Sequence, residues 1–399
     1  MPYLSYRYRL LPNKAQHGAL ERILEDQRVL YNAALEERID CYRKTGRGRT
    51  YVDQCKALTL WRSFDATARS TPLKLQRWTL SRLDAAFRSF FRRVAADAIP
   101  GFPRFRGKSR WRSFGFTEME GIRWDGKRLR IAGIPGGLRV HLHRPLQGDL
   151  KNCVFTRGPD GWSISFQSAF AAVEKRPVEK TIGVDMGLVT FAHTSDGDQI
   201  PNPHVARRRD RQIKRRSRAL ARCLKTSKRR QKVKRRLSKC HRRIENARST
   251  WLHQQSSALV ARADLIAAED LNIAGLLKNP HASRSIADAS WGRFLSMVAY
   301  KAERAGKHFI LVKAKNTSQE CSGCGMIVAK SRRVREHSCP HCGLILDRDH
   351  NAAKVILARA VARPEAANPA KPDSPRKIGP SKRFETLPGG RAGSARGAT

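Results

Sequence analysis

Two C-x-x-C pairs, Cys321/Cys324 and Cys339/Cys342, constrain the fold of this chain more than any other feature of it. Each pair turns the backbone tightly enough to present two thiolates on one side, and four soft ligands suit a closed tetrahedral zinc centre. The pairs are separated by 14 residues, close to the spacing of roughly 15–20 common in four-cysteine sites. His337 and His341 lie in the same stretch, and either could take the place of a cysteine. Immediately downstream runs Asp347-Arg348-Asp349-His350-Asn351-Ala352-Ala353, so a metal-holding knuckle stands next to carboxylates of the kind that bind magnesium. The other cysteines, Cys41, Cys55, Cys153, Cys223 and Cys240, have no paired spacing. That usage fits a reducing interior rather than a secreted disulfide scaffold.

Charge narrows the partners. Across 399 residues the formal net charge is +46 and the pI about 11.1, which is not the balance of an ordinary metabolic enzyme. Such a field draws polyanions, and counterion release from phosphates would drive binding to DNA or RNA. A membrane surface is the other polyanion, but no apolar run reaches spanning length and no signal peptide opens the sequence. Nucleic acid is therefore the expected partner, with no membrane role.

Along the chain, residues 3–10 alternate as a strand. Residues 13–42 follow a helical period, with Leu20, Ile23, Leu24, Val29, Leu30 and Leu35 recurring at three- and four-residue steps. A second helical stretch places Leu80, Leu83, Phe87, Phe90, Phe91 and Val94 together, with arginines elsewhere, and Pro100 and Pro103 close it. Residues 114–170 hold short β runs separated by Gly and Pro turns, the pattern of a small barrel. Residues 181–197 read as strand, glycine turn, strand. Residues 204–262 then read as a very basic helical hairpin turning at 225–228. Its inward stripes are Ile213, Ser217, Leu220, Leu224 and Val233, Leu237, Cys240, Ile244, Ala247, Trp251. The sequence DLIAAEDL (264–271) predicts a strand ending in acid, Trp291–Ala305 an amphipathic helix, and HFILVKA (308–314) a buried strand. From Arg363 the composition predicts a disordered basic tail.

Three acids stand out by position. Asp185 lies within a strand, where an unpaired charge needs a cation. Glu269 closes the apolar run Leu265-Ile266-Ala267-Ala268, and Asp349 opens a helix. Singly, each has a structural explanation: a turn-stabilising group, a strand-end surface acid, an N-cap. Together they could converge on two magnesium ions, which would activate a water and stabilise both oxygens of a phosphodiester under attack.

The segments GVDMGLVTFA (183–192), AAEDLNIAGL (267–276), TSQECSGCG with CPHCG, and LDRDHNAAKVIL (317–357) resemble the three RuvC-type motifs and zinc insert of TnpB proteins, transposon-encoded relatives of type V CRISPR effectors. SWGRFLSMVAYKAERAGKHFILV (290–312), SRLDAAFRSFFRR (81–93), FPRFRGKSR (102–110) and LRVHLHRPL (138–146) are similar to the family as well. The resemblance extends to about residue 360. It places the family's acids on Asp185, Glu269 and Asp349, with Asp347 the rival for the third because the motif reads D-R-D. Met186 and Ala268 depart from the family's commoner residues without removing a carboxylate.

What the resemblance implies is an α/β RNase H-like (RuvC) nuclease domain with a zinc-knuckle insert, joined to an N-terminal β-barrel wedge domain with a helical recognition insert. The expected boundaries are 1–12 and 96–175 for the wedge, 13–95 for the recognition insert, 178–316 and 346–362 for the nuclease, 317–345 for the zinc insert and 363–399 for the tail. It also implies structural Zn2+ on Cys321, Cys324, Cys339 and Cys342, catalytic Mg2+ on the three acids, a guide RNA from the transposon end and double-stranded DNA as target. The expected activity is RNA-guided DNA cleavage in the cytoplasm, at the bacterial nucleoid. The alternative is an RNA-guided repressor that does not cut. A strand-transfer transposase is a third possibility, without an H-x-H pair and following tyrosine motif to support it. The basic hairpin and the arginine-bearing helix at 81–93 would supply phosphate contacts. Phe102, Phe105, Trp111 and Phe114, interleaved with arginines, would stack on bases or serve as core.

Overall fold

The computed structural model describes residues 3–331 and 334–362. The expected tail, 363–399, lies outside them. The chain falls into two compact units, one of Met1–Glu179, Asn202–Asp264 and Ile273–Lys307, the other of Lys180–Pro201, Leu265–Asn272 and the chain from His308.

In the first unit, β1 (Tyr3–Leu11) buries Tyr6, Tyr8 and Leu10 and turns Arg7 and Arg9 outward, the alternation a one-sided strand requires. Four helices follow: α1 (Lys14–Thr45), α2 (Tyr51–Phe64), α3 (Ala66–Ser70) and α4 (Leu73–Ala95). Asn13 and Gln16 close a capping box at the start of α1, and Gly46 ends the helix at φ 66°, where a side chain would be strained. Next come β2 (Ser113–Phe116), β3 (Ile122–Trp124), β4 (Arg128–Ile131), β5 (Leu138–His141), β6 (Asp149–Gly158) and β7 (Gly161–Ala169). The barrel expected from these strands takes the form of a seven-stranded antiparallel sheet. Its hydrogen-bonded order runs β2-β6-β7-β1-β5-β4-β3, with β1 paired on both sides. Trp111, Phe114, Phe116, Phe155, Trp162 and Phe166 fill its core together with Leu20, Leu24, Leu80 and Leu83 from α1 and α4.

The same unit contains the basic hairpin, α5 (Asp210–Ala221) and α6 (Lys228–Arg262), turning close to the expected place. Cys240 and Ile244 are buried as expected, but Leu224 is 79% exposed because it lies in the turn, past the end of α5. The hairpin's only two acids are already engaged: Asp210 with Lys214 and Arg284, and Glu245 with Arg248 and Arg293. Short helices α7 (Ile273–Leu276) and α8 (Ser283–Ala289) lead to α9 (Trp291–Arg304), whose Lys301 donates to the His253 carbonyl and to the Ser256 and Ser257 hydroxyls of α6.

The second unit is built on a five-stranded mixed sheet: β8 (Thr181–Met186), β9 (Thr190–Thr194), β10 (Gln199–Pro201), β11 (Leu265–Asp270) and β12 (His308–Lys313). The order is β10-β9-β8-β11-β12, with β8, β11 and β12 parallel and β9 antiparallel to its neighbours. β12 is one of the two edge strands of the sheet and only Val312 is fully buried in it, so the buried strand expected at 308–314 is a half-covered one. A small hairpin, β13 (Glu336–Ser338) and β14 (Ile345–Asp347), precedes α10 (Arg348–Val361). Ile356 and Ala360 of α10 pack on Leu265, Ala267 and Val312 of the sheet.

Candidate active site

Register brings two of the predicted acids together. β8 and β11 are parallel and pair Val184 with Ala268, so one further step sets Asp185 beside Glu269 on the same face. Neighbouring strands lie about 4.8 Å apart. The third acid arrives on α10. Gly183 and Asp185 share a face of β8, and α10 crosses that face so closely that a methyl on Gly183 would overlap the Ala353 carbonyl oxygen and lie 2.9 Å from Leu357 Cβ. Ala353 is one turn beyond Asp349, so seating Ala353 on Gly183 carries the first turn of the helix toward Asp185.

Local chemistry separates the two candidates for the third acid. Asp347 is the N-cap of α10: its Oδ1 accepts the backbone N–H of Asp349 at 2.9 Å and of His350 at 3.1 Å. The capping role expected of Asp349 thus falls to Asp347, and the Asp349 carboxylate is left to face the sheet and the exposed Arg335, 3.4 Å away.

Electrostatics mark the same place. Asp185 is pushed up to about 8, first by burial and then by the negative charges of Glu269 and Asp349. Burial also raises Glu269, which is 8% exposed, against the opposing pull of the Thr317 hydroxyl that donates to its Oε1 and the field of Arg359. A buried carboxyl such as Asp185, pushed up toward neutrality with like charges beside it, is poised to take a divalent cation in exchange.

Two neighbours carried no signal in the linear pattern. Thr317, 2% exposed, reaches Glu269 from the loop after β12. His193, 7% exposed, is the cross-strand partner of Asp185 in the β8–β9 hairpin. Its Nδ1 lies 3.7 Å from Asp347 Oδ1 and 3.6 Å from Asp349 Oδ2. Counting back across the Gly187 turn from Asp185 would have flagged it.

The four cysteines come together as expected. Their sulfurs lie within 4.8 Å of one another, with Cys321···Cys342 and Cys324···Cys339 both at 3.6 Å. Zinc–sulfur bonds of about 2.3 Å put tetrahedral sulfurs roughly 3.8 Å apart, so the set fits zinc. His337 is not part of it: its ring is buried and its Nδ1 accepts from Lys330. The knuckle is tied to α10 by Asn351, fully buried, whose side chain accepts from the Ser322 N–H at 2.9 Å and donates to the Glu320 carbonyl at 2.7 Å. The Arg359–Glu320 ion pair adds a second tie.

The first unit offers a cationic groove of about 1490 Å³, bordered by Arg9 of β1, Arg144, Arg242 of α6, and Arg293 and Arg304 of α9. Of the four aromatics expected to stack or pack, Trp111 and Phe114 are core, whereas Phe102 and Phe105 are about half exposed. Among the described residues no helix is long and apolar enough to cross a membrane.

Comparison with known proteins agrees with this layout. Family models match at residues 291–356 (Cas12f1-like, TNB domain), 165–280 (described as "Probable transposase") and 1–47 (described as a helix-turn-helix domain). In the last of these regions the structure holds β1 and the single long helix α1. A Streptomyces pristinaespiralis protein named "Putative RNA-guided DNA endonuclease" is 29% identical over 368 residues, 90% of this chain and 89% of that one. A mimivirus protein, TnpB-like protein L79, is 32% identical over 26% of this chain and 21% of its own length. Among solved structures, a Cas12f1–sgRNA–target DNA complex matches with TM-score 0.57 at 13% identity, covering 86% of this chain and 83% of that one, which shows a shared fold.

Proposed function

We propose that this chain, which belongs to the TnpB family, is an RNA-guided DNA endonuclease that hydrolyses phosphodiesters at Asp185, Glu269 and Asp349. The observation that carries the proposal is the convergence of these acids: two on adjacent parallel strands, the third on the helix that seats on Gly183. In this reading the mixed sheet is the RNase H-like RuvC core. The seven-stranded sheet is the wedge, α1–α4 are the recognition insert, and the four-cysteine knuckle holds structural zinc.

The three acids would hold Mg2+, which when bound lowers the pKa of a water and stabilises the oxygens of a phosphodiester under attack. The chain's own groups do the rest. Asp185 gives up the proton that burial and the neighbouring carboxylates make it keep, so its charge appears as the cation arrives. Thr317 fixes the Glu269 carboxylate by its hydroxyl, and Asp347 caps α10 so that Asp349 is free. The cationic groove and the basic hairpin bind the sugar–phosphate backbone of guide and target, while base pairing chooses the sequence. The guide comes from the transposon end.

Purified with its RNA, the protein should cut DNA matching that RNA in Mg2+, and Asp185→Ala should bind the same DNA without cutting it. Normal cutting by the variant would overturn the site assignment. A discrete copurifying RNA supports guidance, and a heterogeneous smear counts against it. An RNA-guided repressor predicts binding without cutting in the parent protein too. Strand transfer has little to support it: His141 and His143 stand on or beside β5, and the next tyrosine in the chain is Tyr300.

A further inference from the structure

The acid face has a nitrogen neighbour that oxygen-only magnesium coordination leaves without a task. His193 is more than nine-tenths buried, its Nε2 has no hydrogen-bond partner, and its Nδ1 faces two carboxylates at distances too long for a hydrogen bond. One donor atom from each of His193, Asp347 and Asp349 lies within 4.8 Å of the others. Donors bound to one ion at about 2.1 Å in tetrahedral array stand roughly 3.4 Å apart, so the 3.6 and 3.7 Å spacings are near those of ligands around a common cation. The 3.7 Å spacing is to Asp347 Oδ1, the oxygen that also caps α10, and Oδ2 accepts neither capping N–H.

We propose that His193, Asp347 and Asp349 form a cation subsite for a divalent first-row transition ion such as Mn2+, Co2+ or Zn2+, beside the face assigned to magnesium. Imidazole binds the first-row transition ions, Mn2+ the most weakly of them, and is a poor ligand for magnesium, which prefers oxygen and keeps its waters. The backbone places the ring there by design of the hairpin: opposing residues of an antiparallel pair project to the same side, so His193 shares the face of Asp185. Arg335, 60% exposed and 3.4 Å from Asp349 Oδ2, is a solvent-facing competitor that a bound ion displaces. The subsite shares Asp349 with the nuclease reading of the site, but it requires neither guide RNA nor cutting.

The test uses the full-length, zinc-loaded protein freed of nucleic acid, titrated with Mn2+ and examined by pulsed electron paramagnetic resonance. The expected result is nitrogen modulation from one directly bound imidazole, lost in His193→Gln together with a tenfold or greater weakening of Mn2+ binding. Asp347→Asn, which retains a good capping side chain, should weaken Mn2+ binding yet keep the nitrogen signal. Arg335→Ala should tighten Mn2+ binding severalfold. Bound Mn2+ without nitrogen coupling, or coupling that survives in His193→Gln, overturns the proposal. Because no cleavage is measured, a protein that fails to cut DNA in Mg2+ leaves the subsite standing, and a missing nitrogen signal leaves the cleavage proposal standing.

Discussion

The four-cysteine knuckle and the acid face, both in the second unit, gather their ligands in opposite ways. The knuckle draws four sulfurs from 22 consecutive residues, Cys321 to Cys342, so its ligands are nearly assembled by local turns. The acid face draws on β8, β11 and α10, and nothing local brings Asp185, Glu269 and Asp349 together. A locally gathered centre depends on its metal for order. A face assembled from distant strands depends on packing, and it exists before any ion arrives.

Breaking the packing should have the largest effect. Gly183→Val places a branched side chain where α10 crosses β8, and overpacking of about 3 kcal/mol or more should lower the melting temperature by roughly 6–12 °C and abolish cutting. Cleavage at the parent rate would show that α10 does not depend on that approach. Zinc removal comes next. Cys324→Ser, or a chelator strong enough to strip zinc, should raise hydrogen exchange throughout 317–345 while exchange in β8 and β11 stays slow. Loss of protection in both would erase the contrast between the two centres.

A subtler change sharpens it. Thr317→Val keeps volume and removes the hydroxyl that holds Glu269. Losing a supporting hydrogen bond of this kind lowers metal affinity or activity about 10–100-fold, measured as a higher Mg2+ requirement for cutting. The last change reads stability alone. In the folded chain Asp185 binds its proton up to about pH 8, whereas unfolded it releases it near the ordinary aspartate value of 3.8. The folded state therefore holds more protons across that window, and without divalent ions stability should fall as pH rises through it. Asp185→Asn should flatten this decline in a melting-temperature series, and Mg2+ should reverse it in the parent protein. A parent protein equally stable at pH 5 and pH 8 without cations would place Asp185 in a solvated setting.

The same contrast explains what the sequence disclosed. The knuckle was legible because its ligands are close together, and Asp185 and Glu269 stood out because an acid inside an apolar strand or closing one is conspicuous. α2 and α3 were not anticipated: Leu60, Trp61 and Phe64 of α2 point to solvent and only Gln54 and Leu58 are buried, so no apolar stripe marks that helix. His193 and Thr317 reach the site only through strand register and loop return, which carry no periodic signal. The division of labour between Asp347 and Asp349 depends on which oxygen meets the free amides of α10, a choice between two residues of the same type.

Asn351 links the two centres mechanically. Its amide is shared between the first cysteine turn and the opening turn of α10, so the knuckle and Asp349 are coupled in series. A force applied to the four-cysteine loop would pass through that one amide to the start of α10, so strain at one centre would be felt at the carboxylate of the other.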